Sequence, residues 1–581
     1  MKLLALLRRE AGVSLRHLML LAALSGISSA LVLAVINASA RATSSSPERE
    51  TAAPTDAAAS SVAHESDAPS SETLAAQTAA PLGSGTRRPP KTSGRNAFLF
   101  VVLMGVYALT QWKLYATATA EFEKILDRIR VRIADKVRRS DLMPLEQLGQ
   151  TVVLAGVSKE TQTISQAATL VIMSAQAAVL VAFTALYVAY LSLVAFVLTA
   201  VVAATASIVH IRRSGAMRDV MHQLSERENQ LFESLRHFLD GFKEVRMNRR
   251  RSDDLFEQFT AISKDATTIK CRTHEQIARS FIFTQMSFYA LLGVVVFIAP
   301  RFSEVYSGSS ITTAVLFLMG PLTTIVGTVP NLAIADAAVD NLAGLEAALD
   351  GARSEGADAS LSRPPFTEIE FEGVVFHYKD VRHGEAFSVG PINVTFKAGE
   401  TVFIAGGNGS GKSTFLKLLT ALYHPHQGVI RVDGKVLHPE DAESYRNLFS
   451  TVFSDYHLFD RLYGLLDTQQ ATIDRTIEYL ELTGKTRVTD SRFETLDLSA
   501  GQRKRLALLV SLLEDRPIYV FDEMAADQDP SFRRKFYEEI LSELQKAGRT
   551  VIAVTHDDKY FGASDRLLKM DEGRFVGDAQ A

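Results

Sequence analysis

From Thr161 to Ile211 the chain contains no Asp, Glu, Lys or Arg. A charge-free run of that length is about twice what one helix needs to cross a bilayer, roughly 20 residues. Inside lipid every backbone N–H and C=O must be satisfied within the protein, so such a run is helical. It predicts two spans, 165–187 and 190–211, joined by a tight turn near Tyr187–Ser192. Four more apolar runs predict spans at about 18–37, 96–112, 280–300 and 312–329, the last with Gly320-Pro321 inside it as a point of bending. All six lie before about residue 335, and the remainder reads as a soluble α/β domain.

The orientation of the spans follows from the basic residues of their loops. Arg8, Arg9 and Arg16 precede the first span, a Lys/Arg-dense stretch from Lys113 to Arg139 follows the second, and another from Arg212 to Arg279 follows the fourth. All three are expected on the cytoplasmic side, as is the soluble part. The first span also has features of a signal peptide, a basic start and an Ala-Ser-Ala near its end; its length and the complete set of six favour a retained span. Residues 38–95 are rich in Ala, Ser, Thr and Pro and nearly devoid of large apolar residues, which predicts a disordered periplasmic loop. Lys113–Glu160 and Arg212–Arg279 read as helices continuing past the bilayer, the second with a break at Asp240-Gly241 inside Leu231–Arg251. With a net charge of −4 there is no argument for nucleic acid, and Cys271, the only cysteine, excludes an intrachain disulfide.

The soluble part carries GGNGSGKST from Gly406 to Thr414. An apolar run, Glu400–Ile404, precedes it as a strand, and Ser413–Thr420 follows as the start of a helix. That is the context a phosphate-binding loop requires: Gly406, Asn408, Gly409, Ser410 and Gly411 wrap backbone amides around phosphate oxygens at a helix N-terminus. Lys412 is expected on the β- and γ-phosphates, with Ser413 on Mg²⁺ and Thr414 beside it. A second strand, Pro517–Phe521, delivers Asp522 and Glu523, the first to hold Mg²⁺ through water and the second to polarise an attacking water.

Between these lies Leu498-Ser499-Ala500-Gly501-Gln502, and with it the chain resembles an ATP-binding cassette (ABC) transporter. The resemblance covers 366–581, and the six spans with two cytoplasmic excursions match the exporter architecture. It implies a six-helix, all-α transmembrane domain (1–350), a linker (351–365) and a cytoplasmic α/β P-loop nucleotide-binding domain (366–581). It further implies that His556 contacts the γ-phosphate, that Asp529 belongs to the D-loop, and that Tyr378 stacks on adenine. The rod around Asp240-Gly241 and the Val157–Ser165 region look like coupling helices. Ala500 replaces the usual first Gly of the signature. Ser454, in Val452-Phe453-Ser454-Asp455, stands where most cassettes carry Gln, so Ser454 or Asp455 is a further candidate for the metal.

VFSDYHLFD, GPINVTFKAGE, LSAGQRKRLALL and FDEMAADQDP narrow the likeness to the cyclic-peptide and siderophore exporters, half-transporters of the bacterial inner membrane. The family implies a homodimer in which the signature loop of one copy closes over the ATP of the other. The expected function is ATP-driven export of a peptide or siderophore. The competing readings are a lipid flippase or multidrug exporter, a siderophore importer with an exporter fold, and a membrane ATPase that transports nothing. Gln166, Gln176 and Gln285, polar groups in apolar helices, are candidates either for hydrogen bonds between helices or for the cargo's amides.

Overall fold

The computed structural model describes residues 2–10, 14–44, 94–302, 308–353, 366–378 and 387–580. Of the stretch 38–95 read as a loop, residues 38–44 and 94–95 lie in helices and the rest lies outside the described residues, as does most of the 351–365 linker. The chain divides into two compact units, one of residues 1–131 and 154–344, the other of residues 132–153 and 345–581.

The first unit is all helical. Among the described residues, five helices are long and apolar enough to cross a membrane: Arg16–Ser39, Gly94–Arg138, Gln150–Leu191, Arg249–Ile298 and Ser310–Gly351. A shorter apolar stretch, Leu193–Thr205, opens the helix Leu193–Asp240 and occupies the place of the expected fourth span. The predicted tight turn is a single residue. Ser192 is extended (φ −161°, ψ 114°), its N–H donates to Val188, and its hydroxyl accepts from the Ala195 N–H to start the next helix. The last long helix, Gly308–Gly351, runs through both Pro321 and Pro330. Hydroxyls of Thr323 and Thr324 donate to the Gly320 carbonyl, and the Asn331 amide donates to Gly327, so polar side chains supply bonds near the prolines. The break at Asp240-Gly241 is also present, with a short helix, Phe242–Met247, beyond it.

The other bend differs from the sequence reading. Val157–Ser165 lies within continuous helix, and the chain turns earlier, through the short helix Leu142–Leu148 and Gly149. Gly149 has φ +83°, a conformation side chains other than hydrogen avoid, and Pro144 falls in the first turn, where its missing N–H costs nothing.

In the second unit, a six-stranded sheet carries the site. From one edge the strands are Arg574–Gln580, Arg566–Asp571, Thr401–Gly406, Thr550–Val554, Ile518–Asp522 and Phe449–Val452. All pairings except the one at the Arg574–Gln580 edge are parallel. Parallel strands covered on both faces read as unbroken apolar runs, and Ile518–Asp522 and Thr550–Val554 are buried at every position. A four-stranded antiparallel sheet, with strands Glu368–His377 and Ser388–Lys397 at one side, joins Phe371, Phe376 and Phe396 to the same core as Phe415.

Helix contact in the first unit depends on a small residue. A Cβ built on Gly26 would lie 2.7 Å from Val179 Cγ1, on the helix Thr161–Leu191. Close approach of helices through small residues is a common basis of packing in lipid. Gly26→Val is therefore expected to destabilise the protein by about 1–3 kcal/mol through overpacking. A lowered melting temperature in detergent checks this; an unchanged melting curve contradicts it.

Candidate nucleotide site

Strand order assembles the site. The phosphate-loop strand Thr401–Gly406 pairs with Thr550–Val554, which leads to His556; that strand pairs with Ile518–Asp522, which in turn pairs with Phe449–Val452, which leads to Ser454. Val554 is in register with both Ile404 and Asp522, and Val452 with Phe521. Four chain segments therefore leave the sheet side by side at its carboxyl edge, where ligands bind in open α/β sheets.

The loop's glycines are required sterically. A Cβ on Gly406 would stand 2.2 Å from the Met570 carbonyl oxygen, and Gly411 has φ +101°. Lys412 Nζ donates to the carbonyls of Gly406 (3.0 Å) and Gly407 (2.8 Å). Burial pushes the Lys412 pKa down, while the charges of Glu523 and Asp522 oppose that shift. Asn408 and Gly409 are exposed, and Ser410 is buried.

Asp522 is buried, and its Oδ2 accepts from two hydroxyls, Ser413 Oγ at 3.1 Å and Ser454 Oγ at 3.0 Å. Ser454, singled out for its unusual place in the sequence, thus reaches the carboxylate directly; Asp455 next to it is exposed. Glu523 follows with φ +51°, and its N–H donates to the Val554 carbonyl. Glu523 Oε1 lies 3.1 Å from His556 Nε2, so these two expected site residues meet.

Tyr378 lies beside the loop, its hydroxyl 3.1 Å from that of Thr414 and its ring edge-on to Phe376. Tyr423 extends this contact. Its ring packs edge-on to Tyr378, and its hydroxyl donates to Glu146 Oε2 at 2.5 Å. Burial first, then the hydrogen bond to Glu146, pushes the Tyr423 pKa up. Lys417 also pairs with Glu146, at 3.0 Å. Sequence reasoning found neither Tyr423 nor Glu146, because a pairing across nearly 280 positions leaves no local pattern. His424 and His426 make ordinary contacts: the first lies 3.6 Å from Asp141, and the second accepts from the His377 N–H.

The signature loop opens the helix Ala500–Glu514 with a reciprocal cap. Ser499 Oγ accepts from the Gln502 N–H, and Gln502 Oε1 accepts from the Ser499 N–H. Ser-x-x-Gln is a known helix-start signature, so Ser499 and Gln502 carry a structural signal that the sequence reading did not use. Ala500 is exposed, which explains why it replaces Gly without effect on packing. Gly501 has no such freedom, since a Cβ there would lie 2.6 Å from the Asp527 carbonyl oxygen. Leu498 packs partly buried against the neighbouring core. Asp529 caps Pro530–Lys535 by accepting from the N–H groups of Ser531 and Phe532. The Phe532 amide foremost, with Arg505 helping, holds its carboxyl below the usual range.

The three glutamines of the membrane helices are distributed differently. Gln176 is buried and donates to Ser25 Oγ at 3.1 Å, and Ser25 in turn donates to Gln111 at 2.7 Å, joining three helices. Gln285 donates to Tyr289 on its own helix, and Gln166 is exposed.

A model of the family described as ABC transporter matches residues 389–526. The ATP-binding protein SyrD of Pseudomonas syringae pv. syringae is 33% identical over 480 residues, 79% of this chain and 83% of that protein. The probable syringafactin export ATP-binding/permease protein SyfD of Pseudomonas syringae pv. syringae (strain B728a) is 34% identical over 201 residues, 32% of this chain and 30% of its own length. Among solved structures, a bacterial Atm1-family ABC exporter with ATP bound superposes with a TM-score of 0.68 at 17% identity, over 84% of this chain and 88% of that one. This last likeness establishes the fold. The chain belongs to the ABC transporter family, as a half-transporter with the exporter fold, a multi-pass protein of the bacterial inner membrane whose cytoplasmic cassette hydrolyses ATP to drive export.

Proposed function

We propose that two copies of this chain form a homodimer that exports a peptide or siderophore, with two composite ATP sites at the seam between cassettes. The observation that carries the chemistry is the convergence at the sheet edge of Ser413, Ser454, Asp522, Glu523 and His556. The cargo reading rests on two observations. A relative of 34% identity over 201 residues, SyfD, is described as a probable syringafactin exporter, and the motifs resemble those of peptide and siderophore exporters.

The residues fit Mg²⁺. Two hydroxyls and a buried carboxylate oxygen within 3.1 Å are hard oxygen donors of the kind this ion takes. Ser413 would hold it directly, Asp522 through water, and Ser454 or Asp455 from the side where most cassettes place Gln. When bound, the ion offsets charge on the β- and γ-phosphates. Lys412 would turn from the loop carbonyls to the phosphates, with the amides of Gly409 to Ser413 around them, and Tyr378 would stack on adenine. Phosphoryl transfer needs mainly positioning and charge stabilisation. Glu523 would orient the attacking water and accept its proton, and His556 would hold the γ-phosphate. Ser499 of the partner, at the N-terminus of its signature helix, would close the site. The short helices Leu142–Leu148 and Phe242–Met247, at the bends of the two excursions, are the parts proposed to carry cassette motion to the spans. Gln166 and Gln285 remain candidates for cargo contact; Gln176 is committed to Ser25 and supports helix packing.

Glu523→Gln is expected to bind ATP normally and to lose about 10²–10⁴-fold in hydrolysis, the usual weight of a general base. Near-normal turnover of the purified variant contradicts the assignment. Composite sites make a second prediction. Lys412→Ala and Ser499→Arg subunits, each inactive alone, regain measurable ATPase activity when co-assembled, because one site then keeps an intact phosphate loop and an intact signature. No recovery, with mixed dimers confirmed by differential tags, excludes the shared-site arrangement. For the cargo, cyclic peptides, lipopeptides and siderophores are screened for stimulation of ATPase activity in nanodiscs. Stimulation by peptides or siderophores supports this reading, and stimulation by lipids alone overturns it.

A further inference from the structure

Lys504 and Arg505 are consecutive, cationic and buried, and neither belongs to the phosphate-binding set described above. They sit in the first turns of the signature helix Ala500–Glu514. Lys504 Nζ donates to the backbone carbonyl of Glu523 at 2.9 Å and pairs with Asp527 at 2.8 Å. Arg505 donates to Gln528 Oε1 at 2.9 Å, pairs with Asp529 and with Glu481, and lies 3.8 Å over the Phe532 ring. Gln528 completes the contact by donating to the Gly501 carbonyl at 3.0 Å. The segment from Glu523 to Asp529 is therefore gripped at both ends by one helix.

The grip matters most at Glu523. Its φ of +51° is unusual for a side-chain-bearing residue, and such a conformation persists only where surrounding bonds over-determine it. Three bonds do so: the Glu523 N–H to Val554, and the Glu523 carbonyl accepting from both the Ala526 N–H and the Lys504 amine. The Lys504 amine is the only one of the three supplied by a side chain.

We infer that Lys504 is a positioning residue for the Glu523 carboxylate, fixing the backbone that aims it at His556 and the attacking water. This rests on the reading of Glu523 as the base. The arrangement has a consequence for a dimer. The helix that carries Ser499 to the partner's nucleotide holds, two turns or less further on, the reacting loop of its own site. A shift of that helix on closure reaches Glu523 through one amine.

The test is a double-mutant cycle in the full-length protein in nanodiscs. Lys504→Met removes the donor and keeps the stem. It is expected to lower kcat at least tenfold while leaving the ATP KM within twofold, and Lys504→Gln, which keeps one donor but no charge, to fall between. In the Glu523→Gln background, Lys504→Met changes the residual single-turnover rate by less than twofold, because the group it positions is gone. A purely structural lesion lowers both backgrounds by the same factor, and that result overturns the inference. So does an unchanged kcat in both Lys504 variants, or a loss carried mainly in KM. If Lys504→Met fails to fold, the same cycle is run with Lys504→Gln. Normal turnover of Glu523→Gln alone refutes the base assignment separately, and the inference falls with it.

Discussion

Asp522 is a carboxylate at the end of a strand with no exposed residue, and it keeps two hydroxyl donors, Ser413 and Ser454. A charge so placed is tolerated only when hydrogen-bonded. The bonds come from two different segments, the helix start after the phosphate loop and the loop after the edge strand. Each of those segments is in turn fixed by sheet register. Any shift of one residue in the pairing of Ile518–Asp522 would turn Asp522 away from both serines, since alternate residues of a strand face opposite sides. The buried apolar strands thus serve the site by making register costly to change.

The parts of this site that were legible in the sequence are the local ones. A phosphate loop is a strand, a turn and a helix start within about fifteen residues, and its glycines are set by backbone angle and by closeness to the Met570 carbonyl. Asp522 and Glu523 announce themselves by ending an apolar strand. The long apolar helices were legible because lipid permits few solutions, and the turn at Ser192 fell within the expected interval. The bend at Leu142–Leu148 was missed: its amphipathic sequence resembles the helices around it, and the decisive signal was Gly149 rather than a change in hydropathy. Glu146, Tyr423 and Lys504 were invisible for a different reason. Each acts through a partner distant in sequence or through a backbone carbonyl, which no spacing rule reports.

Ser454 shows how a departure from a family pattern becomes interpretable once geometry is known. A Gln at this position has the reach to meet a metal from further away. Ser is shorter, yet its hydroxyl already sits 3.0 Å from the Asp522 oxygen. It therefore shares the Asp522 carboxylate oxygen with Ser413 and lacks the length a Gln would have there. The segment retains a polar group beside Asp522 and gives up the reach of the longer amide.

The signature loop illustrates the same economy in its own helix. Ser499 and Gln502 cap one another, so the loop proposed to meet a phosphate is already held in helical form at its first turn. The helix N-terminus then presents a fixed positive dipole end rather than a flexible strand of amides. Gly501 cannot be enlarged because the Asp527 carbonyl lies against it, whereas Ala500 faces outward. The glycine at 501 is thus demanded by packing within the cassette, whereas position 500 has room for the Ala it carries. Rigid seating of this helix on the Glu523–Asp529 segment ties the first turns of the helix to the backbone of Glu523. In the homodimer proposed above, closure at one nucleotide would then be tied to the geometry at the other.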